Sequence, residues 1–236
     1  MKKLLFFVLL LCVSTLSFAQ KDVTKFLGIP VDGTKSEMIR KLKEKGFTSN
    51  SDQPDILEGE FNGEDVTLHI VTNNNKVYRI MICDKTNRDE TEIRIRYNWL
   101  CNQLENSERY HCPDFSQTIA DNEKIAYEML VNNKRYEAGF YQKSDAYMEK
   151  LIEIRQQVAE QFQSKYTAEQ LGSPSPDIVE EFQKEILNRI EPWTGEEYTA
   201  KTSMKSVWFM ISNYYGKYYI TMYYDNCYNE ANGEDL

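Results

Sequence analysis

The pair Asn62-Gly63, set between two runs of alternating apolar and polar residues, fixes more of this chain's architecture than any other feature. Asn-Gly is the preferred two-residue hairpin turn, because both central positions need positive φ, which Gly takes freely and Asn tolerates. Before the turn, Leu57, Gly59 and Phe61 alternate with Glu58 and Glu60; after it, Val66, Leu68 and Ile70 alternate with Thr67 and His69. That period of two predicts strands with one buried and one wet face. Asn73-Asn74-Asn75 supplies the next turn. Val77 to Ile82 then returns as a third strand, apolar almost throughout except for Arg79. A three-stranded meander leaves its apolar face open to water, so helices must cover it.

Helix signals flank the meander. Thr34-Lys-Ser-Glu37 is a capping box, Met38, Ile39 and Leu42 form an apolar stripe behind it, and Gly46 is placed as the left-handed stop. A second helix is expected from about Arg88 to Leu104, with Ile93, Tyr97, Leu100 and Leu104 on one face. A short helix near Asp121 to Leu130 and a strand from about Lys134 to Tyr141 follow. Ser144 to Tyr166 then reads as a long amphipathic helix and Gly172-Ser-Pro-Ser-Pro176 as a linker. Ser175 caps a further helix that starts at Pro176 and stops at Pro192. Two strands, about Ser206 to Ser212 and Lys217 to Tyr224, close the chain. The expected class is α+β: antiparallel sheet with packed helices, a degenerate duplication of a helix-plus-three-strands unit, and an inserted helical hairpin. Residues 26–141 and 204–236 would form the sheet-bearing core of a single domain spanning 20–236, and 142–203 the insertion.

The N-terminus bears on compartment. Lys2 and Lys3, an apolar run from Leu4 to Val13 and Ser17-Phe18-Ala19 describe a secretory signal peptide, residues 1–19, cut before Gln20. The apolar run is too short for a comfortable membrane span. The expected location is secreted or periplasmic, with no transmembrane segment in the mature chain. Cleavage removes two lysines and no acids, taking the formal charge from −9 to −11. An acidic chain repels phosphate backbones, which argues against nucleic acid as a partner.

Export also raises the question of disulfides. Four cysteines remain after cleavage: Cys83, Cys101, Cys112 and Cys227. Cys101 and Cys112 flank a loop and are the favoured pair, with four buried reduced thiols as the alternative. Metal binding has little support, since no CxxC exists and the histidines are His69 and His111 alone; no cofactor is expected.

Blocks of the chain resemble a known pattern. FLGIPVDGTKSEMIRKLKEKGF, LEGEFNGEDVTLHIV, KVYRIMI and the closing YYITMYYDNCYN with its terminal EDL are similar to an uncharacterised family of secreted Bacteroidales proteins. Members start FxGIPVdGTk…L…kGF and end near a YxDkxN…DL segment. The resemblance covers 26–141 and 204–236; residues 142–203 depart from it. It implies an antiparallel α+β layer, of a kind also found in beta-lactamase inhibitory proteins and small outer-membrane assembly lipoproteins, and carries no activity with it.

Catalytic constellations are thin. His69 is an alternating strand residue, His111-Cys112 are adjacent and poorly placed to aim at each other, and Glu180-Glu181 and Glu196-Glu197 are doublets that do not face one another on a helix. The C-terminal aromatics are denser: eight tyrosines lie between Tyr198 and Tyr228. Trp208, Tyr214, Tyr215, Tyr218, Tyr219, Tyr223 and Tyr224 are the candidate binding face, offering apolar area with polar tips to a protein or glycan; cross-strand packing is the competing reading. The helical hairpin, with ten acids against five bases over residues 144–192, either packs on the sheet or projects as an acidic arm. The expected function is an exported non-catalytic binding module; the alternative is an envelope enzyme acting on glycans or cell wall through carboxylates the sequence does not identify. N-terminal sequencing of exported protein is expected to begin at Gln20; a mature chain that still carries Met1 would refute the signal peptide.

Overall fold

The computed structural model describes residues 22–112 and 115–231, with backbone alone at 196 and 197, so the signal segment lies outside the described residues. The fold is α+β. Strands β1 (Lys25–Phe26) and β2 (Ile29–Pro30) form a small ribbon. The main sheet holds β3 (Thr48–Ser49), β4 (Ile56–Phe61), β5 (Glu64–Asn73), β6 (Lys76–Asp84), β7 (Tyr110–His111), β8 (Glu137–Gln142), β9 (Ser206–Tyr214) and β10 (Lys217–Asp225). Its order is β3-β4-β5-β6-β10-β9-β8-β7, every neighbour antiparallel. Each half of the chain thus gives three long strands, arranged outside to inside, and the halves meet where β6 pairs with β10. The expected meander is β4–β6, and Asn62-Gly63 turns it with φ of 55° and 76°.

Helix α1 (Lys35–Glu44) starts on the expected capping box, with Glu37 N donating to Thr34 Oγ1 and Thr34 N to Glu37 Oε2. Gly46 at φ 101° ends it, and Phe47 N bonds back to Leu42 O. Phe47 then lies so close to β4 that a Cβ on Gly59 would stand 2.6 Å from its ring, which explains a glycine in mid-strand. Helix α2 (Glu90–Glu105) has its own capping box from Asp89 and Glu92, and α3 (Ile125–Val131) is shorter. These helices and the β1–β2 ribbon cover one face of the sheet. That face carries Leu57, Val66, Leu68, Ile70, Ile80, Ile82, Phe209, Ile211, Ile220 and Met222, which with Phe26, Met38, Leu42, Ile93, Tyr97 and Leu100 form one continuous core.

The two cysteines expected to bridge do not. Cys83, Cys101, Cys112 and Cys227 are all free thiols. Cys101 lies buried on α2 with its Sγ 3.8 Å from Gln117 O, while Cys112 Sγ turns to Leu104 O at 3.9 Å. Each sulfur points at a carbonyl of a different segment, and burial pushes the Cys101 thiol up to about 12.

Between β8 and β9 the chain makes its long excursion: α4 (Asp145–Lys165), α5 (Ala168–Gly172), α6 (Pro176–Ile190), a 3₁₀ turn at Glu191–Trp193, and α7 (Glu196–Ser203). Ser175 caps α6 as expected, and Ser144, expected as the first residue of its helix, is the cap of α4. Helix α5, with a capping box of Thr167 and Gln170, is a further turn between the expected long helix and the Gly172–Pro176 linker, and it runs into Gly172. Leu151, Ile154, Val158, Phe162, Ile186 and Ile190 form a second apolar cluster, separate from the sheet core. The apolar stripes of α4 and α6 therefore satisfy each other. No described helix is long and apolar enough to cross a membrane.

The arm is tied to the body by polar contacts. Arg155 holds Glu108 with two bonds of 2.6 Å, and Lys25 pairs with Asp145. Both pairs are largely exposed and contribute little, at most about 1 kcal/mol each. Lys205, 1% exposed and bonded to Asp22 Oδ1 at 2.7 Å and to Lys143 O at 3.1 Å, lies at the root and belongs to the body. Because Tyr141 and Ser206 are partners across β8–β9, a short Gly-containing loop can replace residues 144–203. The deletion protein is expected to melt cooperatively within a few degrees of the parent, as followed by circular dichroism; an insoluble or non-cooperative product would mean that the arm is part of the core.

Candidate functional site

The second face of the sheet carries part of the aromatic set read from the sequence, and its burial differs sharply from the first. Along β5, β6 and β9 the alternate positions Thr67, His69, Val71, Arg79, Met81, Cys83, Trp208, Met210 and Ser212 are all half-exposed, as are Tyr219 and Tyr223 on β10. The register aligns them in rows across the strands. One row runs Gly139, Trp208, Tyr223, Met81, His69; the next runs Glu137, Met210, Thr221, Cys83, Thr67. A bulge at Tyr78, where Val71 pairs with Arg79 and Thr72 with Val77, puts both Tyr78 and Arg79 on this side.

At its centre the face is rigid. Trp208 and Tyr223 stack with centroids 4.0 Å apart and planes 17° apart, a cross-strand aromatic pair. Arg79 lies against them, its Cζ 5.0 Å from the Tyr223 centroid, 5.5 Å from Trp208 and 5.7 Å from Tyr78. Its guanidinium donates in bidentate fashion to Asp225, Nε to Oδ1 at 2.6 Å and Nη2 to Oδ2 at 2.7 Å. Trp208 Nε1 donates to the same Oδ2 at 2.8 Å. The Asp225 contact holds Arg79 above its ordinary value, and burial raises the Tyr223 hydroxyl. One carboxylate, 6% exposed, thus orients the two side chains best suited to anchor a partner.

The seven aromatics read from the sequence divide three ways. Trp208, Tyr219 and Tyr223 lie on this face. Tyr218 and Tyr224 are 5% and 6% exposed and belong to the core on the other side, where Tyr224 packs on Phe26 and Phe61. Tyr214 and Tyr215 stand at the β9–β10 turn, Tyr215 90% exposed at φ 49°. Adjacent tyrosines on a strand point to opposite faces, so the pairs 218/219 and 223/224 had to split. Missing from the sequence reading are Arg79 as the central cation and Asp225 as its partner; the lone charge in an otherwise apolar strand was the available signal.

The catalytic candidates find no such setting. His69 is half-buried with Nε2 3.4 Å from Thr67 Oγ1, and burial, then Lys35, lowers its pKa. Burial raises the Cys112 thiol, the opposite of an activated thiolate. Glu181 is engaged by Lys165 and Tyr166 on the arm. A two-carboxylate hydrolase needs one acid kept protonated beside a second. Burial raises the Asp84 carboxyl, and Arg96 and Arg88 hold that rise in check. No group of His, Cys, Asp and Glu among the described residues is arranged to hold a metal.

Truncation of Asp225 tests how far this centre depends on one group. Asp225→Ala leaves Arg79 and Trp208 without their shared acceptor and is expected to cost about 2–4 kcal/mol in urea unfolding, with the far-UV spectrum retained; a loss below about 0.5 kcal/mol would place the pair among ordinary surface contacts. Comparison of the chain with protein-family models, with curated proteins and with solved structures gives no match.

Proposed function

We propose that the protein is an exported, non-catalytic interaction module that binds a protein partner across the open face of β5, β6, β9 and β10. The composition of that face carries the reading. Its centre holds Trp208, Tyr223, Tyr219, Met81, Met210 and Arg79, and no lysine or glutamate. Trp, Tyr and Arg dominate the energetics of protein interfaces, Met is enriched there, and Lys and Glu are depleted from interface cores. The single cation is already paired, so a partner need not supply a charge and no buried charge would be left alone. The rim is polar: Glu58 with Lys85, and Glu137 with Arg135. The anchors are also held in place before binding, Trp208 by its stack and its bond to Asp225, which reduces the ordering cost of association. Export is supported by residues 1–19.

Photo-crosslinking in the native envelope tests the reading. A photoreactive phenylalanine analogue placed at Met81 or at Met210 is expected to capture one and the same polypeptide. The analogue at Arg40, exposed on α1 on the opposite side, should not capture it, and Tyr223→Ala should abolish it. Equal capture from all three positions, or none from the two face positions, would overturn the proposal; a captured glycan would replace the partner class.

A further inference from the structure

We propose that the cleft between the β4–β5 turn and the outer side of α2 is a binding site for a neutral sugar residue. The site is independent of the open sheet face and lies on the helix-covered side of the sheet. Its volume is about 430 Å³, within the range of small-molecule sites.

The floor is a buried ion cluster. Asp84, at the end of β6, accepts from Arg88 Nη1 at 3.1 Å and from Arg96 Nε at 3.2 Å, and Arg88 Nη2 reaches Glu64 at 2.5 Å. Asp84, Arg88 and Arg96 are each 8% exposed. Above the floor stand Trp99, 46% exposed, and Ile95, 65% exposed. Arg96 Cζ lies 5.3 Å from the Trp99 centroid, so the cluster beneath supports the indole. Asn62 on the far wall is fixed by a reciprocal amide pair with Gln103, at 2.8 and 3.0 Å.

Two polar atoms of this cleft are uncommitted. Arg96 bonds through Nε and Nη2, and among the described residues its Nη1 has no acceptor. Glu92 spends Oε2 on the capping box, and among the described residues its Oε1 has no donor. Glu92 and Arg96 are one helical turn apart, a spacing at which opposite charges commonly pair, yet no ion pair joins them. A donor and an acceptor thus lie one helical turn apart on α2, near an exposed aromatic ring. Vicinal hydroxyls match that pair, since each donates and accepts, and the apolar C–H face of a sugar ring matches the indole.

Charge decides the class. Two cations, Arg88 and Arg96, face three anions, Asp84, Glu64 and Glu92. The formal excess of one negative charge disfavours phosphate, sulfate or carboxylate groups, and the guanidinium floor disfavours a cation. An apolar side chain could cover Trp99 and Ile95, but it would strip water from Arg96 Nη1 and Glu92 Oε1 without replacing it. A neutral polyhydroxylated ring satisfies both.

The test is saturation-transfer NMR on the full chain with the methyl glycosides of the common neutral hexoses and with N-acetylglucosamine, against glucuronate and glucose 6-phosphate. At least one neutral sugar is expected to receive saturation on its ring protons at millimolar concentration, with the charged ones clearly weaker. Trp99→Ala should weaken that binding about tenfold or more, while Trp193→Ala, exposed on the arm, should leave it unchanged. Glu92→Gln keeps a capping amide and a hydrogen-bonding tip, and is expected to change which sugar is preferred without unfolding the helix. Binding that survives Trp99→Ala, a charged sugar bound as well as the neutral ones, or no sugar bound at all would each overturn the proposal. Crosslinking at the open face is unaffected by any of these results.

Discussion

The pairing of β6 with β10 is the contact on which the rest of the structure depends. Residues 79–83 run antiparallel to 221–225, so the two halves of the chain meet along one seam at the middle of the sheet. Two apolar rows of the core cross that seam: Leu68, Ile82, Met222 and Phe209, and Ile70, Ile80, Tyr224 and Val207. The seam is also where polar side chains lock the ends together. Asn226 donates through Nδ2 to Val31 O, Thr24 bonds Asp225 O, and Asn229 reaches both Asp32 and Val77 O. Arg79 and Asp225 clamp the same strands from the open side. Closing contacts across nearly 150 residues requires a large loss of chain entropy before any burial compensates for it.

That division explains what the sequence displays and what it does not. Features settled within a few residues are legible: the Asn62-Gly63 turn, the Thr34–Glu37 box, the cap at Ser175. Strand partners are not, because nothing near Val77–Ile82 records that its neighbour lies at Thr221–Asp225. The two-residue strands β1, β2, β3 and β7 are too short to show a period. Cys101 and Cys112 were close in sequence, but closeness along the chain says nothing about where the sulfurs point, and α2 turns Cys101 inward. For the aromatic face the period of two tells that Tyr218 and Tyr219 part company, and only the register tells which of them stays in water. Arg79 was visible as an anomaly; its meaning needed Asp225 beside it.

The open face and the cleft show two ways in which one fold keeps surface available. On the face the polar groups are consumed internally. Asp225 takes bonds from Arg79 and Trp208, and what remains outward is aromatic and sulfur-rich, suited to broad apolar contact. In the cleft the arrangement is reversed: Arg96 and Glu92 each keep one atom unspent beside an exposed indole. Large flat contact and small directional contact call for these different solutions, and the sheet separates them onto opposite sides.

The placement of Asp84 gives the last step. It occupies a core-facing position on β6, in line after Ile80 and Ile82, where an apolar residue would extend the core. A buried ionic cluster is commonly no more stable than well-packed apolar residues of the same volume, so stability alone does not account for Asp84, Arg88 and Arg96 together. What the cluster does achieve is orientation. Asp84 fixes both guanidinium groups, Arg88 ties the β4–β5 turn through Glu64, and Arg96 supports Trp99 from below. The Asn62–Gln103 amide pair already joins the turn to α2; the cluster adds a second tie from beneath, so that turn and helix are walls of one cleft whose geometry is set by the end of a central strand.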